Sequence, residues 1–303
     1  MYDTTIHHNR EFPTDAISGF VREVRTSRRS RSRYYSAMSV ARLRALVRAY
    51  PSALLGYSGG VDSAFLAVVL RQELGPERML AGIGRSDSYP EEQWRLAREI
   101  ADRFDLPVIE VATAELQDPR YLANPTNRCF YCKTELWARL GAVARERKIA
   151  VICDGTNADD LGEHRPGRAA GLTAGIRSPL AEAGLTKDDV RQAARALGLP
   201  NWDAPAAPCL SSRIRYGLTI TPARLRQVEA AEAYLRAEGV TGDLRVRHIG
   251  SKARIEVEPG RIGFVEGRLE TVRRRFAELG FEVVEVDPRG YRRGALLPDR
   301  AAR

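Results

Sequence analysis

Apolar residues recur along the chain in two alternating modes. Short apolar runs of strand length fall at 52–57 (SALLGY), 79–84 (MLAGIG), 107–112 (PVIEVA) and 149–154 (IAVICD). Between them, apolar positions return every three or four residues over about 62–74, 90–104 and 133–147, the spacing of helices with one buried face. Strands separated by helices of this length predict βαβ units and a parallel sheet. One more helix is marked at both ends: Thr186 is its N-cap with Asp189 three residues on, and Gly198 closes it before Pro200. The expected fold class is α/β, a doubly wound, Rossmann-like parallel sheet followed by a smaller α+β domain.

The proline-rich stretch LPNWDAPAAP sets the boundary, giving domains at 38–203 and 204–295. Beyond it, Thr221-Pro222 opens a helix to about Glu238. Strands at 243–249 and 253–258, a helix to Leu279 and a strand at 281–286 follow. Residues 1–37 show no sustained period and end in a Ser/Arg run, which reads as a disordered basic tail. Residues 296–303 form a second tail. Met38 opens the first helical pattern and is a candidate start of translation.

The 303 residues carry a formal charge of +9, which raises the question of a nucleic-acid partner. Residues 1–37 hold seven Arg against four acids and residues 289–303 five against one, so only +2 is left for 38–288. Nucleic acid is therefore not the expected partner. Four cysteines do not make a disulfide framework, no apolar run reaches the roughly 20 residues of a membrane span, and the N-terminus lacks a signal pattern. The expectation is a cytoplasmic protein with no membrane partner.

The sharpest chemical signal is Ser58-Gly59-Gly60-Val61-Asp62-Ser63, set between the first strand and the first helix. Glycines there let the backbone approach an anion, which the helix N-terminus then holds. Gly56-Tyr57-Ser58-Gly59-Gly60 also satisfies the nucleophile-elbow pattern, but that fold places several strands ahead of its serine, whereas here only about twenty residues of structured chain precede it. A Walker A loop needs Gly-Lys, and no Lys here follows a Gly. SGGVDS resembles the pyrophosphate (PP) loop of the N-type ATP pyrophosphatases. That resemblance implies ATP cleaved between its α and β phosphates, with AMP passing to an acceptor oxygen. Ser178-Pro179-Leu180, Lys187 and Val190-Arg191 resemble the late helix of the same superfamily. Asp62 and Asp160 are candidate Mg²⁺ ligands, since that ion prefers a few carboxylates with phosphate oxygens.

Cys129-Phe130-Tyr131-Cys132 precedes the helix expected from Lys133, whose N-terminus, with Arg128 and Lys133, would favour thiolates. Cys209 lies 77 residues after Cys132, and Cys153 sits in an apolar strand as a small core residue. Three readings cover the other three cysteines. A redox dithiol would leave Cys209 idle. Structural zinc would need His164 or His248 as fourth ligand. An iron-sulfur cluster on three thiolates would leave one iron open to hydrosulfide or substrate.

SGGVDS at 58–63, NPTNRCFYCK at 124–133, DGTNADDLGEHRPG at 154–167, PCLSSRIRYG at 208–217, RVRHIGSKARIEV and Gly290-Tyr291-Arg292 together look like the LarE family of ATP-dependent sulfur transferases over roughly 38–295. The resemblance implies adenylation of a carboxylate of a pyridinium-3,5-dicarboxylate mononucleotide and its conversion to a thiocarboxylate for the nickel-pincer nucleotide of lactate racemase. It implies that Cys209 bears sulfur and that Cys129, Cys132 and Cys209 hold a 4Fe-4S cluster. It further implies ATP contacts from Ser58, Gly59, Gly60, Asp62, Ser63 and Lys187, with Arg213, Arg165 and Arg292 on substrate phosphate or carboxylate. Glu232 and Glu256 match acidic positions that look like metal or subunit-contact sites, the alternative being two surface glutamates. A homo-oligomer is implied as well. Two other functions compete: a tRNA 2-thiolation enzyme, which would need a basic groove bearing aromatics, and a non-catalytic regulator binding zinc and nucleotide.

Overall fold

The computed structural model describes residues 28–162, 166–292 and 296, with side chains from residue 37 onward. Strands β1 (Ala53–Gly56), β2 (Met79–Arg85), β3 (Val108–Ala112) and β4 (Val151–Cys153) form a parallel sheet in the order β3-β2-β1-β4. Leu54 lies level with Leu80 on one side and Ile152 on the other. A strand covered on both faces needs apolar residues in succession rather than in alternation, and Ala53, Leu54 and Leu55 are all fully buried.

The helices of this part are α1 (Arg28–Arg48), α2 (Val61–Leu74), α3 (Glu91–Arg103), α4 (Pro119–Leu122), α5 (Arg128–Glu146), α6 (Pro166–Thr173), α7 (Pro179–Glu182) and α8 (Lys187–Ala196). Leu55 packs on one face with Leu43 of α1, Phe65 of α2, Ile100 of α3 and Val190 of α8. Leu54 and Leu80 pack on the other with Trp137 and Leu140 of α5 and Ala170 of α6. The sheet is thus wound on both faces, as the sequence pattern predicts. β2 and β3 lie on one side of β1 and β4 on the other. The carboxyl ends of β1 and β4 consequently open a crevice at the switch point where such sheets take ligands.

A second sheet, β5 (Leu244–Ile249), β6 (Lys252–Val257) and β7 (Val283–Val286), runs β5-β6-β7, antiparallel then parallel. It packs through Val246 and Ile255 with Leu235 of α9 (Pro222–Ala237), Val265 of α10 (Ile262–Glu266) and Phe276 of α11 (Leu269–Glu278). Thr221 caps α9, accepting from Arg224 N at 3.2 Å, with Pro222 in the first turn. A separate apolar seam of Tyr121, Leu210, Ile214, Ile220, Leu225 and Val228 joins α4, the 3-10 turn Leu210–Arg213 and α9.

Besides the short helices α4, α6 and α7, which the sequence pattern does not mark, the elements differ from the sequence reading in three places. α1 begins at Arg28, so the last ten residues of the segment read as a tail are helical; residues 1–27 lie outside the described ones, as do 297–303. α5 begins at Arg128 rather than Lys133, which draws both cysteines of the C-x-x-C into its first five residues. The last predicted helix is two, because the chain leaves α10 at Gly267 before entering α11. Among the described residues no helix is long and apolar enough to cross a membrane.

Candidate active site

The loop after β1 is fastened by its carbonyls. Tyr89 Oη and Gln93 Nε2 both donate to Ser58 O at 3.0 Å, Asn201 Nδ2 donates to Gly59 O at 2.8 Å, and Ser63 Oγ donates to Gly60 O at 3.0 Å. Burial pushes the Tyr89 phenol up, which keeps it a donor. Ser58 N donates to Ser63 Oγ at 3.3 Å, which leaves the first amides of α2 as the anion-binding groups of the loop. Those helix amides have no intrahelical acceptor by construction, and the helix dipole adds positive potential. Gly59 sits at φ 67°, and a Cβ there would lie 2.6 Å from Ala97 Cβ, so glycine is required on both counts. Ser58, Gly59, Gly60, Asp62 and Ser63 are thus brought together at the start of α2 as the candidate anion cradle.

The loop after β4 closes the other wall. A Cβ on Gly155 would come within 2.9 Å of Ser63 N, so this turn lies directly on the start of α2. Asn157 Nδ2 donates to Asp62 Oδ1 at 3.3 Å, and Lys187 Nζ pairs with Asp62 Oδ2. Lys187 stands in the first turn of α8, where Thr186 and Asp189 form a complete capping box. Asp160, expected to bind Mg²⁺, is buried, and its Oδ2 accepts from the Asn157 backbone at 3.1 Å while its own N–H donates to Asn157 Oδ1 at 3.2 Å. It shapes the turn that presents Asn157 to Asp62.

The cysteines come from three segments. Cys129 is exposed at the start of α5, Cys132 and Cys209 are half-buried, and Cys153 is fully buried in β4. Burial pushes the Cys129 and Cys132 thiols up, and negative charge on Cys209 would push both further, against Arg128 and Lys133. This corrects the expectation that the helix start favours thiolates: the protein packed around the sulfurs outweighs the nearby cations. The three sulfurs share one neighbourhood, and three thiols are the right donor chemistry for a cluster. Among the described residues, however, no three His, Cys, Asp or Glu side chains are arranged to hold a metal ion, these cysteines included. His248 spends Nε2 on Gln227 Oε1 at 3.0 Å, and His164 lies outside the described residues.

The segment Ser88–Tyr89 touches both halves of the site. Tyr89 holds the phosphate loop, as above, and Ser88 O accepts from Leu210 N at 2.8 Å, next to Cys209. Ser88 and Ser86 donate to Glu115, a buried carboxylate close enough to Cys132 for its charge to be felt.

Arg213 is buried, with Nε and Nη2 on the two oxygens of Glu232 at 3.0 and 2.9 Å and Nη1 on the carbonyls of Pro208 and Cys209. Burial works against its charge, and Glu232 more than restores it. Glu256 is fully buried against Arg247 at 2.7 Å, and Glu232 is partly buried against Arg213, so both acids are paired with arginines of this chain. Arg292 Nη2 meets Asp287 Oδ2 at 3.2 Å, and Arg165 lies outside the described residues. Arg245, which the sequence did not single out, is buried over the Tyr291 ring with its Nε unpartnered. Burial and then the neighbouring Arg213 pull it below the usual guanidinium range, the condition of a cation short of an anion.

The NAD synthase family matches residues 37–150, which hold the phosphate loop and the C-x-x-C. An uncharacterized protein of Synechocystis sp. is 42% identical over 80% of this chain and 91% of its own length. The pyridinium-3,5-bisthiocarboxylic acid mononucleotide synthase of Lactiplantibacillus plantarum is 34% identical over 80% of this chain and 87% of that protein. The chain belongs to the LarE family. A GMP synthase of Hamiltonella defensa matches 49% of this LarE-family chain at 28% identity, covering 31% of its own length. That is the pattern expected where a PP-loop sheet is shared and the rest of the protein is not. In this LarE-family chain the side chains that sequence reasoning missed are Tyr89, Gln93, Asn157, Asn201, Glu115 and Arg245. Asn157 and Arg245 lie inside motifs that carry the resemblance and Asn201 in the proline-rich boundary stretch, none of them marked by its own spacing; Tyr89, Gln93 and Glu115 act from elements whose contact with the loop or the thiols is made by folding alone.

Proposed function

We propose that this protein is an ATP-dependent sulfur transferase that adenylates a carboxylate of a pyridinium-3,5-dicarboxylate mononucleotide and converts it to a thiocarboxylate, a step of nickel-pincer nucleotide synthesis. The observation that carries the reading is the Ser88–Tyr89 segment, which fastens the phosphate loop through Ser58 O and the Cys209 segment through Leu210 N. An adenylating site and a sulfur-bearing residue must face one substrate carboxyl group, and one dipeptide sets their spacing.

A substrate carboxylate oxygen attacks the α-phosphate of ATP and pyrophosphate leaves, its charge met by the amides of residues 59–63 and by Lys187. No general base is needed, because a carboxylate is already nucleophilic. Sulfur then attacks the acyl carbon and AMP departs with the former carboxylate oxygen. Asp62 would hold Mg²⁺ with the phosphates once Lys187 turns from it to the nucleotide. Arg245, with its spare donor, and Arg213 supply positive charge for substrate phosphate or carboxylate. A 4Fe-4S cluster on Cys129, Cys132 and Cys209 would keep one iron open for hydrosulfide; assembling it requires the thiols to close into ligand positions.

Anaerobically purified protein is expected to be brown with about four irons per chain. Cys209→Ala is expected to abolish thiolation and leave pyrophosphate release intact. Colourless protein with stoichiometric zinc, or thiolation by the variant, overturns the reading.

A further inference from the structure

We propose that Asn124 is a positioning residue that fixes the Cys129–Cys132 pair against Cys209. The proposal rests on the three-thiol reading above and deepens it. The thiols belong to segments that sequence keeps far apart, and something must set their relative position before they can act on one sulfur. Asn124 lies five residues before Cys129 and is completely buried at φ 52°, a left-handed conformation that asparagine tolerates better than most side chains.

Every polar group of this side chain is committed across the seam. Nδ2 donates to the carbonyls of Arg215 at 2.8 Å, Leu218 at 3.1 Å and Ile214 at 3.3 Å, all in the segment that follows Cys209. Oδ1 accepts from Arg128 Nη1 at 3.0 Å, one residue before Cys129. The Asn124 backbone carbonyl accepts from Gly217 N at 3.0 Å. One carboxamide thus ties the start of α5 to the Cys209 segment, donors to one side and acceptor to the other. Arg128 is buried, stacked 4.7 Å over the Tyr216 ring, and near enough to Cys129 and Cys209 for thiolate charge on either to be felt. Asn124 therefore also sets where Arg128, a buried cation beside both sulfurs, stands.

The rest of the seam does not depend on it. Tyr121 Oη and Ser211 Oγ are 2.5 Å apart, Ile220 N donates to Leu122 O at 2.9 Å, and the apolar cluster around Leu210 and Ile214 is intact without the amide. Removing the carboxamide should loosen the register of the thiols before it opens the seam.

The test uses the full chain, freed of metal by chelation and held anaerobically, with dibromobimane as a short bridge between thiols and mass spectrometry to map the bridged pairs. Wild type is expected to bridge Cys209 to Cys129 or Cys132, as well as Cys129 to Cys132, with buried Cys153 unmodified. Asn124→Gly keeps the left-handed backbone. It is expected to slow bridging to Cys209 by about tenfold or more relative to Cys129–Cys132 bridging in the same molecule, since small displacements strongly reduce effective concentration. Asn124→Asp, which keeps an oxygen for Arg128 and loses the donors, should give the same loss if the glycine variant does not fold. An unchanged ratio in the folded variants overturns the positioning role with the three-thiol reading intact. No bridge to Cys209 in wild type overturns both.

Discussion

Lys187 and Asp62 stand 125 positions apart in sequence and meet in an ion pair beside the phosphate loop. Both side chains are partly exposed, at 33% and 22%, and a pair of that kind contributes only about 0–1 kcal/mol to stability. Its position against the first turn of α2 explains it better as a charge reserve for ATP. Lys187→Met is expected to cut pyrophosphate release by about 100-fold or more, the scale of one lost charge-stabilising group. Its unfolding free energy should stay within about 1 kcal/mol of wild type. A variant that loses stability and keeps pyrophosphate release would assign the pair to the fold.

The Arg247–Glu256 pair is the opposite case. Glu256 is fully buried and Arg247 nearly so, and breaking a buried pair leaves an uncompensated charge that costs about 3–5 kcal/mol. Arg247 also donates to Ser212 O at 3.1 Å, which carries the strain toward the Cys209 segment. Glu256→Ala is expected to lower the denaturant midpoint by an amount matching that cost. Replacing both partners with apolar residues should recover most of it.

How much was legible follows from where each signal resides. The parallel sheet and its winding were readable because β1 to β4 are short apolar runs separated by helices whose apolar positions return every three or four residues, and the Thr186 capping box was readable because it is local. The phosphate loop was readable because glycine at Gly59 answers a local backbone demand. Asn201 and Gln93 hold that loop from 142 and 35 positions away, a relation no spacing encodes. The thiolate expectation failed for a similar reason: the cations around Cys129 and Cys132 are visible in sequence, whereas the burial that outweighs them is not. Glu232 and Glu256 read as metal or subunit-contact sites, or else as surface acids, because the arginines that pair with them come from another segment and from the paired strand, respectively.

His248 gives the fold a pH dependence of definite sign. It is buried in β5, and burial, then Arg224, lowers its pKa to about 4 from an ordinary 6.5. Between those values the unfolded chain binds the proton that the folded protein refuses, so stability rises as pH rises from about 4 to 6.5 and is flat in this term above 6.5. The loss at the acid end reaches up to about 3 kcal/mol. His248→Gln is expected to flatten the stability profile in that window by up to about 1.4 kcal/mol per pH unit. Denaturant unfolding at a series of pH values measures it, and parallel profiles for variant and wild type would refute the assignment.

Gly155 joins the two walls of the crevice. A Cβ there would lie 2.9 Å from Ser63 N, 3.1 Å from Ser63 Cα and 3.2 Å from the carbonyl carbon of Asp62, all backbone atoms that cannot swing aside. Relief requires the start of α2 to move away from β4, and with it the amides that form the anion cradle. Overpacking of this kind costs about 1–3 kcal/mol, and here it is concentrated on the groups that hold phosphate. Gly155→Ala is therefore expected to raise KM for ATP by about tenfold or more, with a smaller fall in thermal stability than Glu256→Ala. Gly260→Ala, where a Cβ meets nothing within 4 Å, is the matched control and should leave both quantities unchanged. Steady-state kinetics over a range of ATP concentrations separates the outcomes: an unchanged KM in a folded Gly155→Ala protein would mean that the cradle does not depend on the contact between these two loops.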